Sequence, residues 1–165
     1  MTTTKETSID LLNKAVADEL ATINQYMYFH FHLDDQGYAP LANLFKKTAI
    51  VEMGHLERFA ERILFLKGDV KMVPGFKVEA ITDPVKILQK ASELEHASAA
   101  EYNEFAKKCG ENLDAVTKQL FEAILADEEK HYDEFDNQQD FIKNFGTAYL
   151  ALQSFTGLPP QTSGK

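Results

Sequence analysis

The chain reads as all-α: a four-helix bundle with a long crossover between the second and third helices and a short fifth helix near the C-terminal end. Three observations carry this expectation. Glycine and proline fall where helices should stop and start, at Gly37 and Pro40, Gly68, Pro74-Gly75, Asp83-Pro84, Gly110, Gly146 and Pro159-Pro160. Between them, apolar residues recur at steps of three and four, the period of an amphipathic helix. No alternating strand pattern is long enough to compete, although residues 76–81 could run extended.

The first helix is expected over 8–36, with Ile9, Leu12, Val16, Ile23, Tyr26 and His30 on one stripe. The second, over 40–67, carries Leu41, Phe45, Thr48, Phe59 and Ile63. It is apolar on a further side, at Ala49, Ile50, Met53, Leu56, Ala60 and Leu64, and a helix apolar over most of its circumference needs a second partner. That face is expected to pack against another subunit. Residues 68–83 form the long connection. At ~3.3 Å per residue it can span a helix and return the chain, so the second and third helices can run parallel.

The third helix, over 84–109, opens on Asp83 as N-cap with Pro84 in its first turn and carries Leu88, Ala91, Ser98, Tyr102 and Phe105. The fourth, over 112–144, is expected to be capped by Asn112 and carries Thr117, Phe121, Ile124, Phe135 and Ile142. A fifth, over 146–156, is too apolar to stand alone in water. The whole reads as one domain, 1–158, with a flexible tail over 159–165.

Each of the four long stripes has one fault near its middle: Glu19, Glu52, Glu95 and Glu128 lie on the apolar faces. Two histidines, His55 and His131, share those faces three residues after Glu52 and Glu128. The faults are related by an internal repeat. A shift of 76 residues, without a gap, places Leu12 on Leu88, Glu19 on Glu95, Tyr26 on Tyr102 and Phe29 on Phe105. It continues with Phe45 on Phe121, Glu52 on Glu128, His55 on His131 and Phe59 on Phe135. Two helical hairpins related by a pseudo-twofold axis would bring all six residues to the bundle centre.

A buried, unpaired carboxylate costs several kcal/mol or takes up a proton. Four at one level would repel one another. Two divalent cations resolve the conflict, because their +4 balances four carboxylates and neutral imidazoles complete the coordination. Oxygen-rich ligation with one imidazole per metal suits iron or manganese. A third Glu-x-x-His pair, Glu93 with His96, lies off the stripe and reads as a solvated helix face. His30 is expected to be satisfied or partly exposed, and His32 to lie at the surface. Tyr26 and Tyr102, two turns beyond Glu19 and Glu95, are either amphipathic core residues or hydroxyl donors to ligand carboxylates.

The charge balance, 26 acids against 17 bases for a net −9, argues against nucleic acid or an anionic membrane as partner. The single cysteine, Cys109, leaves no internal disulfide and no four-cysteine metal site. There is no apolar run near the ~18 residues of a membrane span. The N-terminal residues lack the apolar core of a signal peptide, so a cytoplasmic location is expected.

The sequence resembles the bacterioferritins of the ferritin-like superfamily over essentially its whole length. The resemblance is carried by 18–26, by 52–55 with 61–66, by Leu94-Glu95 and by 127–131. It implies a ferritin-like bundle assembled from twofold dimers into a hollow 24-subunit cage. It further implies a ferroxidase centre in which Glu19, Glu52, His55, Glu95, Glu128 and His131 bind two Fe²⁺, with Glu52 and Glu128 bridging and Tyr26 beside them. Iron would be oxidised by O₂ or hydrogen peroxide and stored as ferric mineral. Met53 falls where the family holds a haem between two subunits, reduced by a ferredoxin-type partner for iron release. Lys47 and Val51 stand where some members have a His and an Asp for a further iron on the cavity wall, and Phe59 and Glu134 where some have redox-active aromatics. The competing readings are a rubrerythrin-like diiron peroxidase without mineral storage, and a haem-bearing cage with a vestigial diiron site.

Overall fold

The computed structural model describes residues 4–155 and contains α1 (Thr4–Asp35), α2 (Ala39–Phe65), α3 (Pro84–Glu111), α4 (Ala115–Phe145) and α5 (Thr147–Phe155). The expected flexible tail lies outside the described residues. Among the described residues there is no strand, and 76–81 is irregular.

α1 packs along α2 and α3 along α4, and each pair is joined by the same turn. At the end of α1, Gly37 takes φ +85°, with its N–H donating to Asp34 O at 2.9 Å and that of Tyr38 to Leu33 O at 2.9 Å. At the end of α3, Leu113 takes φ +60°, with its N–H donating to Gly110 O at 3.0 Å and that of Asp114 to Cys109 O at 2.9 Å. Both closures satisfy the last carbonyls of a helix through a left-handed residue, and 37 and 113 are themselves one repeat apart.

This turn corrects the expected start of α4. Asn112 is the C-cap of α3, and Asp114 is the N-cap of α4, its carboxylate accepting from Thr117 N at 3.2 Å and Thr117 Oγ1 at 2.6 Å. The left-handed residue must intervene between the two helices, which moves the cap two positions along. Arg62 of α2 also donates to Asp114 Oδ1, at 2.9 Å, tying the end of α2 to the start of α4. Asp83 caps α3 as expected, accepting from Lys86 N at 2.9 Å.

The crossover is laced to α1 along its length. Asn13 donates to Asp69 O at 3.0 Å and accepts from Lys71 N at 2.8 Å. Gln25 does the same for Glu79, donating at 3.0 Å and accepting at 2.7 Å. Between them Gly75 N donates to Ala17 O at 2.7 Å, so close that a Cβ there would lie 2.6 Å from Asp18 Oδ1. Later contacts on the crossover meet later positions on α1, so this segment returns the chain to the end where α2 began. α2 and α3 therefore run parallel.

The core divides into two apolar clusters. One joins Leu12 and Val16 of α1 to Phe59, Ile63, Tyr102, Phe105, Phe121 and Ile124. The other joins Tyr26 and Phe29 to Leu41, Phe45, Ile87, Leu88 and Phe135. Ala49 is buried in this second cluster and so is a bundle residue and not part of the outer face of α2, while Leu56 is half-buried against the first cluster. Ile50, Met53 and Leu64 do face outward, 58%, 56% and 58% exposed. His30 is satisfied by Ala42 O at 2.8 Å, whereas His32 is half-buried with its ring 4.3 Å from that of Tyr28. Glu93 and His96 are exposed.

Candidate metal centre

Between the two clusters, every helix of the bundle delivers its stripe's exception. Glu19 comes from α1, Glu52 and His55 from α2, Glu95 from α3, and Glu128 and His131 from α4, and all six are buried. The i,i+3 spacing places each Glu-His pair on one helix face, and the parallel course of α2 and α3 puts all four helices' residues at one level.

The six fall into two overlapping groups, each with donor atoms within 4.8 Å of one another: Glu19, Glu52, His55 and Glu128, and Glu52, Glu95, Glu128 and His131. Glu52 and Glu128 belong to both. The inner nitrogen of His55, Nδ1, is 2.7 Å from Glu52 Oε2, 3.1 Å from Glu128 Oε1 and 3.7 Å from Glu19 Oε1. His131 Nδ1 is 2.9 Å from Glu52 Oε1 and 3.6 Å from Glu95 Oε2. Outside these groups, Tyr102 donates to Glu19 Oε1 at 2.8 Å and Tyr26 donates to Glu95 Oε1. Each tyrosine thus reaches across the bundle to the glutamate of the other hairpin.

Electrostatics follow from the crowding. Burial, reinforced by the Glu52 and Glu128 carboxylates, holds Glu19 well above the usual carboxylate range. Burial raises Glu95 and pushes Glu128 up to about 8. Glu52 goes the other way: burial is outweighed by His131 and His55, which hold its carboxyl down. Burial alone would lower both imidazoles, yet Glu128 and Glu52 raise His55 to about 9, and Glu52 and Glu95 raise His131 to about 11. Without metal, the centre balances its charge with protons.

Protons do so incompletely. Glu52 Oε1, Glu95 Oε2, Glu128 Oε1, His55 Nε2 and His131 Nδ1 are buried without a hydrogen-bond partner. Such atoms are costly unless something else satisfies them. All but His55 Nε2 belong to the carboxylate-lined interior, and a divalent cation in each group would engage them. The donor set fits metal.

All six residues singled out from the sequence are brought together, with Tyr26 beside them; Met53 stands apart, on the outer face of α2. Sequence reasoning missed Asp127, whose Oδ2 lies 3.5 Å from His55 Nε2. It sits off the apolar stripe, and only its adjacency to Glu128 marks it.

A four-helix bundle with a long crossover and a central carboxylate–histidine cluster defines the ferritin-like class. The model of the ferritin-like domain accordingly matches residues 9–145. Among individual relatives, the bacterioferritin of Desulfovibrio desulfuricans is 41% identical over 93% of this chain and 85% of its own. Those of Brucella melitensis and Rhodobacter capsulatus are each 34% identical, over 84% and 87% of this chain and 86% and 89% of theirs. The crystal structure of the Desulfovibrio desulfuricans protein, solved to follow its diiron site through different catalytic states, superposes with a TM-score of 0.91. At 40% identity it covers 98% of this chain and 94% of that one. The chain belongs to the bacterioferritin family.

Proposed function

We propose that the protein is an iron-storing ferroxidase, with Fe²⁺ as its substrate. Glu52 and Glu128 bridge two ferrous ions, one completed by Glu19 and His55 and the other by Glu95 and His131. The observation that carries this reading is the pair of overlapping donor groups that share Glu52 and Glu128. Four carboxylates match the charge of two ferrous ions, and the imidazoles give up their protons as iron arrives. Each ion then loses one electron. With hydrogen peroxide as oxidant, two Fe²⁺ and two protons give two Fe³⁺ and two waters. With O₂, one pair of ions yields hydrogen peroxide, which a second pair consumes. The carboxylates absorb the rise in metal charge, while Tyr26 and Tyr102 hold Glu95 and Glu19 in place from outside.

The product is stored as ferric mineral in a cage of 24 copies built from twofold dimers. Met53 would hold a haem where two copies meet: a thioether is a soft ligand for haem iron, and Met53 projects from an exposed face shared with Ile50 and Leu64. The haem, when bound by Met53 of two copies, supplies one-electron transfer from a ferredoxin-type reductant toward the stored iron. A cytoplasmic site of action accords with Cys109, a buried free thiol, and no helix among the described residues is long and apolar enough to cross a membrane.

The deciding experiment adds Fe²⁺ and oxygen to metal-free protein and measures particle mass and iron content. A large particle holding iron far in excess of two ions per subunit is expected. Uptake that stops at about two per subunit with no mineral would favour a diiron oxidase or peroxidase instead.

A further inference from the structure

The two imidazoles of the centre differ in what stands behind them. His55 Nε2, on the side away from Glu52 and Glu128, is buried without a hydrogen-bond partner. The carboxylate beside it is Asp127, with Oδ2 at 3.5 Å. Oδ1 of Asp127 accepts from Lys130 Nζ at 2.7 Å, which ties down that oxygen and leaves Oδ2 to the imidazole. Behind His131 the picture changes. Its carboxylate contacts, Glu52 and Glu95, are both made through Nδ1. The repeat explains why: 76 residues before Asp127 stands Val51, whose hydrocarbon side chain cannot accept a hydrogen bond.

The chemistry of ligation makes this difference matter. A metal among Glu19, Glu52 and Glu128 would take Nδ1 of His55, the nitrogen that faces them. The single proton of the neutral ring must then sit on Nε2. A buried N–H with no acceptor carries its full desolvation cost, and Oδ2 of Asp127 is within a small side-chain shift of accepting it. We propose that Asp127 is a positioning residue that fixes the tautomer and ring orientation of His55 for metal binding. With Val51 at the equivalent place behind His131, the two metal positions of the pseudo-symmetric centre are inequivalent. The inference rests on the ligand assignment given under Proposed function and adds a seventh residue to it.

Co²⁺, a divalent ion that favours the same nitrogen and oxygen donors as Fe²⁺, separates the possibilities in a titration of metal-free protein followed by absorbance. The wild type is expected to take up two Co²⁺ per subunit. Asp127→Val should weaken one of them by about 10- to 100-fold and leave the other within about twofold. Asp127→Asn, whose amide oxygen still accepts from Nε2–H, should retain most of the lost affinity. The proposal is overturned if Asp127→Val binds both ions like the wild type, if both weaken together, or if Asn and Val at this position lose equally. Failure of the wild type to bind Co²⁺ at all would overturn the ligand assignment itself, and this inference with it.

Discussion

Glu52 is the hinge of the centre, because both histidines lean on it and both donor groups include it. Around it the remaining carboxylates are crowded enough to hold protons, so the residues of the centre work against the stability of the metal-free fold. Glu19→Ala or His131→Ala should lower the initial rate of ferrous oxidation by more than about tenfold and leave the assembly intact. Unchanged stopped-flow kinetics in both variants would remove the assignment. The same crowding sets a pH dependence. Glu128 moves from 4.5 to about 8 on folding, and His55 from 6.5 to about 9. Both bind protons more tightly in the folded chain, so their stabilisation is complete at low pH and is lost as pH rises through the folded values. Glu52, held down, opposes them only partly. The melting temperature of metal-free protein should therefore fall between about pH 6 and pH 9, and a saturating divalent cation should restore it. A calorimetric profile that is flat or rising without metal would contradict the proton-for-metal exchange.

Among the helices, the repeat reaches beyond the six central residues into the turns, with one flaw. The α1–α2 turn places Gly37 in the left-handed region, while the α3–α4 turn asks the same of Leu113, whose side chain is 93% exposed. A left-handed L-residue costs roughly 1–2 kcal/mol, and this leucine recovers little of that through packing. Leu113→Gly should raise stability by about 1 kcal/mol, after the larger entropy that glycine loses on folding, with ferroxidase activity unchanged. Denaturant unfolding of the two proteins side by side checks it, and a less stable variant would show that the leucine packs in the assembly. The crossover depends on a different kind of matching. Asn13 and Gln25 satisfy its backbone groups with side-chain amides, which an irregular segment needs because it has no ladder of its own.

At the level of the whole molecule, the acid excess falls into two populations. Four glutamates are buried at the centre, where the proposed ferrous ions would neutralise them; the others would draw Fe²⁺ by their field. The outward face of α2 supplies a further test. Met53→Leu keeps the volume and the apolar character of the position and removes the thioether. On the proposed haem assignment, haem absorption is expected in the purified wild type and should be lost in this variant, with the rate of ferrous oxidation as it was. Retention of haem in full stoichiometry would rule out Met53 as its ligand.

Periodicity and repetition make most of this protein legible in its sequence. Glycine and proline positions, the three-and-four stripes and the 76-residue shift determined the helices, their pairing and the six central residues. They could do so because helix phase is a local property, and a charged residue on an apolar face announces a partner. What lay between the helices was decided by tertiary structure. The cap of α4 moved from Asn112 to Asp114 because the turn needed a left-handed residue first. Ala49 joined the core because a helix packed against two neighbours buries more than one stripe. Asp127 became a neighbour of His55 only when α4 was laid against α2, since a contact between helices depends on their relative depth and rotation, which no single helix's pattern encodes.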